Sequence, residues 1–172
     1  ETDQGRVFVF EGGPAGMPTA ATTTLEVDAA GAAFGSALGG GMDVNGDGYP
    51  DLVVGAPGLD GAAGVDTGGA YIFPGSASGI GTTPLWTAEG DSAGDALGSA
   101  VSFAGDVEGD GYADVLLGIP GYSNGEADEG QVRLHSGGPG GPGASASWSF
   151  ESDQAGAELG NAVAAGGDSN GD

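Results

Sequence analysis

A repeat of 61 to 64 residues runs through the chain, and it constrains the fold more than any other feature. Segment Gly5 to Gly12 (GRVFVFEG) returns as Gly69 to Gly75 (GAYIFPG) and as Gly130 to Gly137 (GQVRLHSG). Leu25, Trp86 and Trp148 share one register, and Phe34-Gly35, Leu97-Gly98 and Leu159-Gly160 share another. The run Asp51 to Pro57 (DLVVGAP) is answered by Asp114 to Pro120 (DVLLGIP). Several landmarks holding one period mean that the chain is an array of one supersecondary unit.

Each unit offers four short segments of strand character, bounded by glycine, proline and acidic turns, and no run long enough to nucleate a helix alone. In the first complete unit the strands are expected near 34–42, 51–56, 69–74 and 84–88. The continuous apolar runs Leu52-Val53-Val54 and Val115-Leu116-Leu117 suit strands covered on both faces. The 40 glycines and 9 prolines among 172 residues approach low-complexity usage. Their fixed positions mark turns between strands, so order is expected.

A four-stranded sheet covered on both faces needs neighbours, and radial stacking of such sheets gives a β-propeller. The expected fold is all-β, with blades of four antiparallel strands: the end of one blade in residues 1–33, full blades at 34–96 and 97–158, and the start of another at 159–172. Small residues at Gly35 to Ala37, Gly98 to Ala100 and Gly160 to Ala162 are placed in first strands near the axis. Trp86 and Trp148 are expected as packing residues further out.

Between the first and second strands of each unit lies an oxygen-rich loop. The first carries Asp43, Asn45, Asp47, Tyr49 and Asp51, the second Asp106, Glu108, Asp110, Tyr112 and Asp114. A third begins with Asp168, Asn170 and Asp172, too few residues to close a shell by themselves. Alternate oxygen-bearing side chains, with a glycine after the third ligand position, suit a loop curling round a hard cation, for which Ca²⁺ is the expectation. Side-chain oxygens are assigned at loop positions one, three, five and nine, and the Tyr49 and Tyr112 carbonyls at position seven. An EF-hand requires an acid at position twelve, where Val54 and Leu117 stand, so the loops should join strands and not helices. Solvated acidic turns without metal are the bland alternative, and the constant period weighs against it.

The Phe34-Gly35 step, the Asp-x-Asn-x-Asp-Gly-x-x-Asp loop and the Gly55-Ala56-Pro57 end together resemble the FG-GAP repeat of integrin α-subunit propellers and their bacterial relatives. The resemblance covers essentially the whole chain. It implies a seven-bladed propeller, more than this chain supplies, so the remaining blades are expected from the same protein or from self-association. Departures are Leu97 and Leu159 for phenylalanine, Gly118-Ile119-Pro120 for Gly-Ala-Pro, and Glu108 at the third loop position, whose extra methylene changes ligand reach.

Charge narrows the partners. Twenty-five acidic residues face two basic ones, Arg6 and Arg133, for a net charge of −23. Such a surface repels phosphate backbones and anionic lipid, so neither nucleic acid nor membrane insertion is expected, and a protein or glycan partner is. Without cysteine there is no disulfide or thiolate site. Low-affinity calcium loops suit an extracellular place, secreted or on the cell surface. No catalytic grouping emerges: His135, the sole histidine, has no evident companion and is expected as an exposed or satisfied strand residue. A calcium-binding, non-enzymatic interaction or adhesion scaffold is the leading expectation, and a propeller region of a secreted hydrolase acting on glycans or phosphodiesters is its rival.

Overall fold

The computed structural model describes residues 3–167, and their regular elements are all strands. These are β1 (Val7–Val9), β2 (Thr23–Leu25), β3 (Ala37–Met42), β4 (Asp51–Ala56), β5 (Gly69–Phe73), β6 (Trp86–Glu89), β7 (Val101–Gly105), β8 (Asp114–Ile119), β9 (Gln131–His135) and β10 (Trp148–Glu151). They form one two-stranded sheet, β1-β2, and two four-stranded antiparallel meanders, β3-β4-β5-β6 and β7-β8-β9-β10. The expected blades are therefore present in sequence order, with strand bounds close to those read from turn punctuation.

Two apolar layers hold the sheets together. Val53, Ala70 and Ile72 from the first meander meet Val101, Phe103, Val115 and Leu117 from the second. On the opposite face, Val54 and Phe73 meet Val7 and Leu25 of the two-stranded sheet, with Phe34 between them and edge-on to Phe73. The central strands β4 and β8 thus bury side chains of both parities, which is why their sequence runs apolar without alternation.

The Phe-Gly step lies outside the strand expected to contain it. Residues 34–36 form a turn before β3, because Gly35 adopts φ +90°, a left-handed conformation that ends regular pairing. Its repeat partner Gly98 does the same at +86°. The step plugs the core with Phe34 or Leu97, both buried, while the following glycine N–H donates to a central strand, Gly35 to Gly55 O at 2.9 Å and Gly98 to Gly118 O at 3.0 Å. Over 159–167 no strand forms, and Leu159 makes only an isolated parallel bridge to Gly130.

The two tryptophans part company. Trp86 is half-buried at the margin of the inter-sheet core, edge-on to His135 with ring centroids 5.0 Å apart. Trp148 is 51% exposed and stacks on Phe150, because no sheet among the described residues covers the outer face of β9-β10. Equal register gives equal placement on the strand, but burial depends on what lies across it.

Candidate metal loops

Each acidic loop joins the first and second strands of its meander, β3 to β4 and β7 to β8, as the spacing required. A register shift marks its entrance, between Gly40 and Met42 in β3 and between Phe103 and Gly105 in β7, where a bulge turns the strand end out of the ladder. Inside the first loop Gly46 and Gly48 take φ +76° and +87°, and in the second Gly109 and Gly111 take +75° and +95°. Only glycine adopts such angles cheaply, so the tight coil follows directly from the sequence.

The coil is laced by side-chain oxygens. Asp43 Oδ1 accepts from the Gly46 N–H at 2.7 Å and Oδ2 from Gly48 at 2.7 Å, and Asp47 Oδ1 accepts from Tyr49 at 2.9 Å. Asn45 Oδ1 accepts from the Asp47 N–H at 3.0 Å, while Asn45 Nδ2 donates to Asp47 Oδ2 at 3.0 Å. The second loop repeats the pattern: Asp106 accepts from Asp110 at 2.9 Å and from Gly111 at 2.8 Å, and Asp110 accepts from Tyr112 at 3.0 Å.

The ninth-position aspartates differ from the rest because they are buried, Asp51 at 1% exposure and Asp114 at 0%. Asp51 Oδ2 accepts from the Val44 N–H at 2.9 Å and Oδ1 from Gly75 at 2.8 Å, fastening the loop to the turn after β5. Asp114 does the same with Val107 at 2.7 Å and Gly137 at 2.9 Å. Burial raises the pKa of Asp51, the two backbone bonds oppose it, and the charges of Asp47 and Asp43 add to the rise. Asp114 is raised in the same way by burial, its two backbone bonds oppose the rise, and the neighbouring Glu108 adds to it. Hence the acids of each loop share one electrostatic neighbourhood.

Adjacent loops also touch. The Asp43 carbonyl accepts from the Ala113 N–H at 2.9 Å and the Val44 carbonyl from Gly138 at 3.0 Å, while the Tyr112 ring lies over Gly46. These contacts cross from one blade to the next and no sequence signal announced them. Nor did any signal pair Arg133 with Asp91, which it reaches at 2.6 Å across the same boundary.

The donor set tests well for a hard cation in kind: every side-chain donor is oxygen, and uncompensated carboxylates crowd a buried one. Its arrangement is looser. Among the described residues no three His, Cys, Asp or Glu side chains are gathered into a ready-made metal cluster, since many of the loop oxygens are turned onto backbone N–H groups. Asp43, Asn45, Asp47, Tyr49 and Asp51 are together in one loop, and Asp106, Glu108, Asp110, Tyr112 and Asp114 in the other. Asp168, Asn170 and Asp172 lie outside the described residues.

His135, expected as an exposed or satisfied strand residue, is buried at 3% exposure and has one of its ring nitrogens satisfied. The face of β9 that carries His135 is covered by Trp86 of the preceding blade. The histidine Nδ1 meets the Gly143 carbonyl at 3.0 Å, Nε2 has no partner, and burial lowers its pKa.

The FG-GAP repeat family matches residues 34–73 and 97–135, which are the blade segments carrying the two loops. The chain is an FG-GAP repeat protein. Each match runs from the Phe34 or Leu97 plug through the loop to the end of the third strand. This FG-GAP chain is 40% identical to integrin alpha-7 of Rattus norvegicus over 86 residues, 49% of the chain and 7% of that protein. It is 34% identical to integrin alpha-10 of Homo sapiens over 122 residues, 69% of the chain and 10% of the relative. It is also 34% identical over 124 residues to phosphatidylinositol-glycan-specific phospholipase D of Rattus norvegicus, 67% of the chain and 14% of that protein. The FG-GAP chain thus spans a small fraction of the length of its relatives.

Proposed function

We propose that this chain is a calcium-binding part of an extracellular β-propeller, a non-enzymatic scaffold for adhesion or interaction with a protein or glycan partner. The observation that carries this reading is the recurrence, in two blades, of one glycine-coiled loop whose acids surround a buried aspartate fastened to the third strand. Bound calcium supplies the positive charge those acids lack. Asp43, Asn45, Asp47 and Asp51 with the Tyr49 carbonyl would hold one ion, and Asp106, Glu108, Asp110 and Asp114 with the Tyr112 carbonyl another. In the third loop Asp168, Asn170 and Asp172 would contribute in the same way. The ion's role is structural: it ties the first two strands of a blade and couples folding to free calcium.

The test is thermal melting and calorimetry with and without calcium. A ligand at about 100 times its Kd adds about 2.7 kcal/mol of stability. The parent should therefore melt several degrees higher in calcium than in chelator. Asp43→Ala should remove one binding site and keep the second, because it spares the Asp43 carbonyl that Ala113 uses. An unchanged melting temperature after complete calcium removal refutes the structural role.

A second reading rests on the phospholipase D relative: a propeller region of a secreted hydrolase acting on glycans or phosphodiesters. Turnover of a phosphodiester substrate by the intact protein, lost in Asp47→Ala, would favour it over the scaffold.

A further inference from the structure

The three units place a glutamate at the end of their fourth strand, Glu26, Glu89 and Glu151, and face it with a different residue each time. In the first unit Gln4 donates to Glu26 at 3.5 Å and Arg6 pairs with it at 2.7 Å. In the second the facing residue is Thr67, a hydroxyl satisfied by the Leu59 carbonyl at 3.2 Å, while Glu89 accepts from the Ala62 N–H at 3.3 Å. In the third the facing residue is a second carboxylate, Glu129.

Glu129 is fully buried, at 0% exposure. Its Oε1 accepts from the Asn124 N–H at 2.6 Å, and its Oε2 has no hydrogen-bond partner. The Asn124 side chain bridges to Glu151, with Nδ2 3.4 and 3.3 Å from the two carboxylate oxygens. Two acids therefore meet at one asparagine, Glu129 on its backbone N–H and Glu151 on its side chain. Neither basic residue of the chain reaches them, since Arg6 is on Glu26 and Arg133 on Asp91 and Gln131. A buried, unpartnered carboxylate oxygen is costly unless an opposite charge meets it.

We propose that Glu129 and Glu151, with the side-chain carbonyl of Asn124, form a further divalent-cation site of calcium type, between the loop joining β8 to β9 and the end of β10, apart from the acidic loops. Three kinds of observation converge on it: an orphaned buried oxygen, a second carboxylate joined to the same asparagine, and the loss at this register of the donors that serve the other units. Exchanging the nearly isosteric Oδ1 and Nδ2 of Asn124 presents an oxygen where the amide nitrogen now lies. All three donors are hard oxygens, and solvent-exposed Asn124 leaves a path of entry. The second unit has Thr67 and Ala62 at the equivalent positions and holds no such site, so the site belongs to one blade.

Equilibrium dialysis of the intact protein against CaCl₂ tests this, comparing the parent with Glu129→Thr, which installs the residue that the preceding blade already accommodates. The expected result is one calcium fewer per protein. Melting in chelator checks the fold: Glu129→Thr should melt at or above the parent, because a buried oxygen without a hydrogen-bond partner is gone. Glu151→Gln provides a second variant at a half-buried position and should likewise lose one ion. Equal calcium uptake by the parent and Glu129→Thr overturns the proposal, as does a Glu129→Thr protein that is less stable than the parent in chelator. Loops that fail to bind calcium would leave this difference of one ion untouched, so the two readings fail separately.

Discussion

Replacing Asp51 by alanine removes the single carboxylate that closes the first loop from inside. Two buried N–H groups, Val44 at 2.9 Å and Gly75 at 2.8 Å, lose their acceptor together. Each unsatisfied buried donor costs about 1–3 kcal/mol, so the gross loss is about 2–6 kcal/mol. Against this, the native state no longer buries a carboxylate whose pKa burial itself raises, which returns part of the loss. A net of about 3 kcal/mol corresponds to a fall in Tm of roughly 6–12 °C for a chain of this size. The assay is thermal unfolding in excess chelator, so that metal affinity does not enter. Asp47→Ala is the control, since Asp47 is exposed and its bonds lie within the loop. It should move Tm by no more than about 2 °C, within the range of ordinary surface changes. Equal shifts for Asp47→Ala and Asp51→Ala in chelator would refute the claim that the ninth-position acid holds the blade together independently of metal.

Further outcomes follow from contacts elsewhere. A methyl group on Gly55 would collide with the Gly98 carbonyl oxygen across the blade boundary, and one on Gly118 with that of Gly160. Gly55→Ala should therefore cost about 1–3 kcal/mol in urea unfolding, while Gly140→Ala, which meets nothing within 4 Å, should cost under about 0.5 kcal/mol. His135 titrates in the folded protein below its ordinary value near 6.5, chiefly because it is buried. As pH falls through 6.5 the unfolded chain takes up the proton first, so stability present above that pH is lost on acidification. His135→Phe, which copies Phe73 at the equivalent register, should shrink the drop in Tm between pH 7 and pH 5; an unchanged drop would show that other groups cause it.

The blades were legible because their signals are local and repeated. Apolar runs such as Val115-Leu116-Leu117 could only be covered strands, and Gly46-x-Gly48 between two aspartates could only be a tight coil. The Phe34-Gly35 step was misplaced by three residues, since glycine looks alike in a strand near an axis and in a left-handed turn. Whether His135 is exposed or satisfied stays open in the sequence for a different reason: alternation along β9 says which side chains share a face, not whether that face is covered. Its cover is Trp86, forty-nine positions earlier and in the preceding blade. Contacts between blades, including Arg133 with Asp91 and Ala113 with Asp43, leave no periodic trace and could not be read in advance.

The loop aspartates divide the work in a way that the repeat pattern alone concealed. Spacing presents positions one, three, five and nine as equivalent oxygens, yet burial separates position nine from the others. Asp51 and Asp114 accept from the first residue after the opening aspartate and from the turn after the third strand, so each spans three strands of its blade. A cation drawn to the exposed acids would therefore act on a residue that the core already uses. Stability and ion occupancy are then two expressions of one contact, and the coupling should be strongest for changes at Asp51 and Asp114. Changes at Asp43, Asp47, Asp106 or Asp110 should alter affinity with little effect on the calcium-free fold. A ninth-position variant that binds calcium as the parent does, yet unfolds at a lower temperature in chelator, would separate the two roles and break that argument.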